Sequence, residues 1–201
     1  MGTRHLTCVV KDNEYKVAQY GQWDGYPSGQ GVNILNFLKE MSQDKFLKGI
    51  DNCFEPTEEQ IKSWWAEAGH DIDKSNGLVS AEIYDRFMKN HPSLSRNMGS
   101  DILHFIQDSV TPVPLQLNVE FAADSLFCEY AYVIDLDKGT FEIFKGFNSK
   151  PLADGERFYN PEAPVNAEYH PVRLIKEYRL SELPTEEAFL MELEPKNESD
   201  E

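Results

Sequence analysis

Residues 20–31 hold the densest group of side chains able to bind or catalyse, and they read Tyr-Gly-Gln-Trp-Asp-Gly-Tyr-Pro-Ser-Gly-Gln-Gly. Glycines let a backbone turn sharply or approach a ligand closely. The aromatic rings could stack on a flat ligand, and the carboxylate could act as a general base or bind a cation. We therefore predict a site here. The candidate catalytic residues are Arg4, Asp24 and Tyr26, and the candidate ligand-binding residues are Tyr20, Gln22, Trp23 and Ser28.

The end of this segment, residues 28–31, precedes a predicted helix whose free backbone N–H groups could bind an anion. The segment lacks the Gly-Lys-Ser/Thr ending of a P-loop and the spacing of a dinucleotide-binding G-x-G-x-x-G motif. Ser28 also lacks the glycine two residues earlier that a serine-hydrolase elbow requires. The alternative to a ligand site is an ordered loop whose rings plug one end of the sheet.

Arg4 and His5 occupy adjacent positions of the predicted first strand. Successive side chains of a strand point to opposite faces, so only one of the two can face a given pocket. Arg4 could clamp a carboxylate or phosphate. His5 could act as an acid or base, and the alternative for it is a simple surface or hydrogen-bonded histidine.

Residues 71–82 resemble a calcium-binding EF-hand loop. Loop positions 1, 3, 5 and 12 carry Asp71, Asp73, Ser75 and Glu82. The glycine that the motif needs at position 6 is replaced by Asn76, with Gly77 one residue late. The alternative is a polar turn between two helices, with Ser80 capping the second helix. We predict no metal here.

Three cysteines, Cys8, Cys53 and Cys128, are spread along the chain without a C-x-x-C pair. This pattern disfavours a disulfide framework or a structural zinc site. The histidines form no H-x-x-x-H pair, which removes the usual zinc-hydrolase signature. The sequence therefore indicates neither a metal nor a cofactor.

The net charge of the 201-residue chain is −16, and all of the acidic excess lies in residues 51–201. No cluster of Lys and Arg exists that could bind a phosphate backbone, so nucleic acid is not a predicted partner. No apolar run is long enough to cross a membrane, and no hydrophobic leader begins the sequence, so we predict a cytoplasmic protein. Two functions stay open. One is an enzyme or binding domain for a small molecule, and the other is an acidic regulator or inhibitor that engages a basic protein partner.

The element pattern predicts an α+β fold with a mostly antiparallel sheet of five or six strands. Two hairpins are indicated by polar turns at residues 11–14 and 136–139. Residues 57–108 have helical spacing throughout and form a predicted helical insertion, with Thr57 in a capping box. The other predicted elements are a helix at 32–42, strands at 115–121 and 172–178, and a helix from Thr185. The predicted domain spans residues 1–193, followed by an acidic disordered tail at 194–201.

The opening Met1-Gly-Thr-Arg4, together with residues 20–31, resembles a widespread family of uncharacterised proteins of bacteria, phages and fungi. Members begin with Gly-Thr-Arg and carry a Trp/Tyr-Asp-x-Tyr-Pro-x-Gly segment after a hairpin. The later stretch Leu126-Phe-Cys-Glu-Tyr-Ala-Tyr-Val-Ile-Asp-Leu-Asp137 is similar to the same family. The resemblance covers most of the chain and implies no established activity.

The order of elements is also loosely similar to that of N-terminal-nucleophile hydrolases. In those enzymes the first residue of the mature chain, a Cys, Ser or Thr, is the nucleophile. Removal of Met1 would instead expose Gly2, and exposure of Thr3 would need a second cleavage. This similarity implies a related fold without that chemistry.

Overall fold

The computed structural model describes residues 2–72, 78–162 and 168–194. The strands are β1 (His5–Lys11), β2 (Glu14–Gly21), β3 (Cys53–Phe54), β4 (Val113–Pro114), β5 (Tyr130–Asp135), β6 (Thr140–Lys145) and β7 (Arg173–Arg179). The α-helices are α1 (Val32–Glu40), α2 (Gln43–Asp51), α3 (Glu58–Glu67), α4 (Ala81–Asn90), α5 (Ile102–Asp108) and α6 (Glu186–Leu193).

Five strands form one sheet in the order β2-β1-β5-β6-β7, and β3 and β4 form a small parallel pair. All neighbours in the large sheet are antiparallel except β1 and β5, which run parallel. The predicted α+β class with a mostly antiparallel sheet of five or six strands is thus confirmed, with five strands observed. The parallel strands β1 and β5 lie in the interior of the large sheet. Their pairing determines which chain segments meet at each end of that sheet.

Both predicted hairpins are present, and their turns touch each other. Asp12 and Asn13 adopt left-handed φ angles of 58° and 59°, which the two-residue turn between β1 and β2 requires. The Asp137 carboxylate, in the turn between β5 and β6, accepts the N–H groups of Asp12 at 2.9 Å and Asn13 at 2.8 Å. Because one turn caps the other, the two hairpins are held in register at this end.

The interior strands β1, β5 and β6 are buried on both faces. Helices α1, α2, α5 and α6 cover one face of the sheet, the face to which Val9 of β1 points. The second face carries Leu6 and Cys8 and is covered by irregular segments that contribute Ala122 and Phe158. The polar residues His5 and Thr7 of β1 are fully buried, on the same face as Val9, which the helices cover.

The predicted helical insertion at residues 57–108 is not confirmed as a unit. Ile102, Leu103 and Ile106 of α5 belong to the same core cluster as α1 and α2. Only α3 and α4 lie away from that cluster, and α3 has no buried residue. Helix α2 was not predicted, although Phe46 and Ile50 have helical spacing and are buried.

The predicted strand at residues 115–121 is wrong. Leu115 continues the short β3–β4 pairing by donating its N–H to Phe54 O at 2.8 Å. Asn118 then donates its backbone N–H to Ala18 O at 2.9 Å, and residues Val119–Ala123 turn into a 3-10 helix. The alternating apolar pattern of residues 115–121 therefore belongs to an extended connection, which turns into the 3-10 helix before it pairs with a strand of the large sheet.

The predicted helix caps are confirmed. Thr57 and Gln60 form the reciprocal capping box of α3, and Ser80 Oγ accepts the N–H of Ile83 at the start of α4. Thr185 caps α6 in the same way. Five residues of the EF-hand-like stretch, Asp73, Lys74, Ser75, Asn76 and Gly77, lie outside the described residues, as do residues 195–201 of the predicted tail.

A buried ionic cluster fastens the long segment after β6 to the sheet. The Arg157 guanidinium donates to both carboxylate oxygens of Glu142, at 2.5 and 2.7 Å, and also to Asp135. Both carboxylates are almost completely buried. Burial would raise the pKa of Asp135, but hydrogen bonds from the Lys138 backbone and from Arg157 hold that pKa below its ordinary value. Without Arg157, the two buried carboxylates would lose their nearest positive charge.

Replacing Arg157 with Leu should destabilise the protein by about 3–5 kcal/mol, because two buried carboxylates would lose their main cation. Urea denaturation at pH 7 measures this change. Lys138→Ala is the matched control, since its exposed ammonium lies 3.8 Å from the same two carboxylates and should matter by under about 1 kcal/mol. Equal effects of the two substitutions would contradict the assignment of Arg157 as the central cation.

Candidate functional site

The candidate site lies at the sheet end where β1 and β5 begin. Because these strands are parallel, the residues that precede them run side by side, and Glu129 N–H donates to Arg4 O at 3.1 Å. On the other side of the same segment, Gly25 N–H donates to Thr3 O at 3.0 Å. Three stretches of chain, residues 2–4, 22–26 and 126–129, therefore meet at this end.

Arg4 is the principal cation of this surface. Its guanidinium carbon lies 4.6 Å from the centroid of the Phe127 ring, which is itself 42% exposed. Its Nε is buried and has no hydrogen-bond partner. Within the part of the chain that the structure describes, Arg4 forms no ion pair, although the Glu129 carboxylate accepts its backbone N–H at 3.4 Å. Its positive charge is therefore available to an added anion.

Trp23 lies next to this segment and is half-exposed. Its ring covers Gly2, where an added Cβ would come within 2.2 Å of Trp23 Cε3. Trp23 Nε1 donates to Asn97 Oδ1 at 3.1 Å, and the backbone N–H of Gln22 donates to Arg96 O at 3.1 Å. The indole thus has a fixed orientation, with 50% of the residue surface open to solvent.

Asp24 shapes the backbone of the segment. Its φ of 55° is left-handed, and its carbonyl oxygen accepts the N–H of Gln30 at 2.9 Å. A Cβ at Gly29 would lie 2.3 Å from that carbonyl oxygen, so a glycine is required there. The side chain is exposed and makes no hydrogen bond or ion pair with any described residue. In particular, it does not pair with Arg4.

The predicted anion position at the start of the helix is taken by the protein's own Glu194. Its Oε1 accepts from Ser28 Oγ at 3.2 Å and from Ser28 N–H at 3.4 Å. Tyr26 lies beside this contact, half-exposed, with its ring edge-on to Tyr130 at 6.2 Å between centroids. Ser28 therefore serves to join α6 to the turn at Pro27–Gly31, which leads directly into α1.

Tyr20 faces a different surface from Tyr26. Its hydroxyl donates to Gln22 Oε1 at 3.0 Å, and its ring meets Phe121 edge-on at 5.0 Å. It borders a cavity of about 90 Å³ that also contains Asn118. The structure brings Arg4, Trp23 and Gln22 to neighbouring backbone segments, whereas no hydrogen bond or ion pair among described residues joins Arg4, Asp24 and Tyr26.

Glycines 21 and 25 are explained by the burial of His5. A Cβ at Gly21 would lie 2.0 Å from His5 Cε1, and a Cβ at Gly25 would lie 2.9 Å from His5 Cβ. Neither ring nitrogen of His5 has a hydrogen-bond partner in the described structure, and the same is true of Thr7 Oγ1. Burial lowers the pKa of His5 to about 3. These glycines thus let the segment close over a neutral histidine.

Three residues of this surface were missed by sequence reasoning. Phe127 and Glu129 stand in the stretch before β5, and Glu194 follows α6. An apolar Phe127 just before a strand could have indicated a surface contact. Its contact with Arg4, however, depends on the pairing of β1 with β5. No local pattern reveals that pairing, because the two strands are more than a hundred residues apart.

No group of three or more His, Cys, Asp or Glu side chains in residues 2–72, 78–162 and 168–194 is placed to hold a metal ion. In those same ranges, every helix is too short or too polar to cross a bilayer. Comparison with models of protein families, with curated proteins and with solved structures found no match. The resemblance noted for residues 1–4, 20–31 and 126–137 therefore stays a prediction.

The buried His5 should make stability depend on pH. Its pKa is about 3 in the folded state and about 6.5 in the unfolded state, so below pH 6.5 the unfolded chain binds the extra proton. Acidification from pH 7 to 4.5 should cost about 2.5 kcal/mol through this residue alone, from about 1.36 kcal/mol per pKa unit.

Urea denaturation at both pH values measures the effect. The His5→Leu variant should lose this component of the pH dependence, whereas His104→Leu, at an exposed position, should retain it. Identical pH dependence of the His5→Leu variant and the wild type would show that His5 is protonated or hydrated in the folded protein.

Proposed function

We propose that this protein binds a small aromatic anion at the sheet end around Arg4. The single observation that carries the proposal is the environment of the Arg4 side chain. Its guanidinium stacks on an exposed Phe127 ring, has a buried Nε without an acceptor, and forms no ion pair with any described residue.

Arg4 and Arg173 both have a buried Nε without a partner, and Arg4 differs in that its guanidinium lies over an exposed ring, that of Phe127. With a net charge of −16, carboxylates are abundant, and Arg157 binds two of them. A buried donor left without an acceptor costs about 1–3 kcal/mol. A carboxylate or phosphate would not reach the buried Nε, but at the terminal guanidinium nitrogens it would supply a counter-ion that Arg4 lacks among the described residues.

The aromatic part of the proposed ligand follows from the neighbouring rings. Phe127 lies under the guanidinium, and the half-exposed Trp23 covers Gly2, two residues before Arg4. Flat faces next to a cation favour a planar ligand that carries its charge at one end. Tyr26 offers a further half-exposed ring on the adjacent surface.

The arrangement supports binding more directly than catalysis. A general base must lie within hydrogen-bond reach of the group that it deprotonates. Among the described residues, the Asp24 side chain forms no hydrogen bond with Arg4 or with Tyr26. Asp24 and Tyr26 are therefore proposed as walls and polar contacts of the site. We place the function in the cytoplasm, since all three cysteines are free thiols, as is usual in a reducing compartment.

Indole-3-acetate should bind the full chain at least tenfold more tightly than its neutral isostere indole-3-acetamide, because only the former offers a carboxylate to Arg4. Isothermal titration measures both affinities. The Arg4→Gln variant should remove the difference between the two probes, in line with about 1.5–3 kcal/mol for a hydrogen bond to a charged group.

Arg179→Gln is the matched control, since Arg179 is an exposed arginine on β7, away from the site. It should leave both affinities unchanged, and thermal unfolding verifies that each variant is folded. Equal affinity of the wild type for both probes, or equal losses in the two arginine variants, would contradict the proposal. Salt-dependent binding of a basic protein without binding of either probe would favour the acidic interaction protein instead.

A further inference from the structure

A second cavity, whose lining includes neither Arg4 nor the rings beside it, has no part in the proposed function. It lies between α3, α4 and the connections that carry Leu94 and Leu115, and its volume is about 410 Å³. Pockets for small molecules commonly measure about 300–1,000 Å³ and have mainly apolar walls. The apolar walls of this cleft include Ile61, Trp65, Phe87, Met88, Leu94 and Leu115.

The apolar walls named above lie outside the two core clusters, with the exception of Leu115. Helix α3 is amphipathic, yet none of its residues is buried. Trp65 stacks on Phe87 with ring centroids 3.8 Å apart and an angle of 10°, and neither residue belongs to the two core clusters. An occupant that covers this surface would gain about 25 cal/mol for each Å² removed from water.

The polar rim of the cleft is acidic. Glu55 and Glu58 line it with exposed side chains, and neither forms an ion pair with any residue in the described ranges. Lys62 also lines the cleft, but it already has an interaction partner. The indole face of Trp65 offers a further favourable position for a cation. The rim therefore favours a positively charged guest.

We propose that this cleft binds a small aromatic amine. The ring of the ligand lies against the stacked pair of Trp65 and Phe87, and its ammonium group points toward Glu55 and Glu58. The proposal stands on the cavity, its apolar walls and its acidic rim, and it is independent of the anion site at Arg4. The two sites select ligands of opposite charge.

The three tryptophans allow the two sites to be observed separately. Trp23 lies at the sheet end, whereas Trp64 and Trp65 lie on α3. Titration of ¹⁵N-labelled full-length protein with tryptamine should shift the indole N–H signal of Trp65 and leave that of Trp23 in place. Indole-3-acetamide, which lacks the positive charge, should bind at Trp65 at least fivefold more weakly.

A charge-removing variant tests the role of the rim. The double substitution Glu55→Gln and Glu58→Gln should weaken tryptamine binding at least fivefold, whereas Glu59→Gln, a neighbouring exposed acid that does not line the cleft, should not. Met88→Trp, which fills the cleft, should abolish the Trp65 shift. A Trp65 signal that does not respond, or equal effects of the rim and control variants, would overturn the proposal. Neither result bears on the anion site, which Trp23 reports.

Discussion

The parallel pairing of β1 with β5 determines how the core and both ends of the sheet are assembled. It joins the first hairpin to the second and places β1 in the interior of the sheet. It also brings the residues before both strands to one sheet end, where Arg4 meets Phe127 and Glu129. At the opposite end it brings the two hairpin turns together through Asp137. A single long-range pairing thus creates both the core and the candidate site.

The glycine-rich segment has two roles that its composition does not distinguish. On one side, Gly21 and Gly25 admit the ring of the buried His5, so part of the segment closes the end of the sheet. On the other side, the Trp23 ring stays half in solvent beside the backbone of Gly2. A close-packed support with an exposed aromatic face is the arrangement that a binding surface needs, because the support fixes the ring before a ligand arrives.

Local features of this fold were predictable from sequence, whereas long-range ones were not. The hairpin turn at Asp12 and Asn13 and the caps at Thr57 and Ser80 depend on a few adjacent residues, and all of them are found in the structure. Residues 115–121 have a strand pattern without a partner, because Asn118 bonds to Ala18 instead. Arg4 and Trp23 could be selected by residue type. Phe127 and Glu194 could not, since only tertiary packing brings them to the segment.

We propose that an anionic aromatic ligand binds beside Arg4 and the exposed rings of the sheet end. Intermolecular nuclear Overhauser effects between indole-3-acetate and the full-length protein test it most directly, because they locate the bound ring. We expect contacts from the ligand to ring protons of Phe127 and Trp23, and their loss in the Arg4→Gln variant. Contacts to Trp65 and Phe87, with none to Phe127, would contradict it.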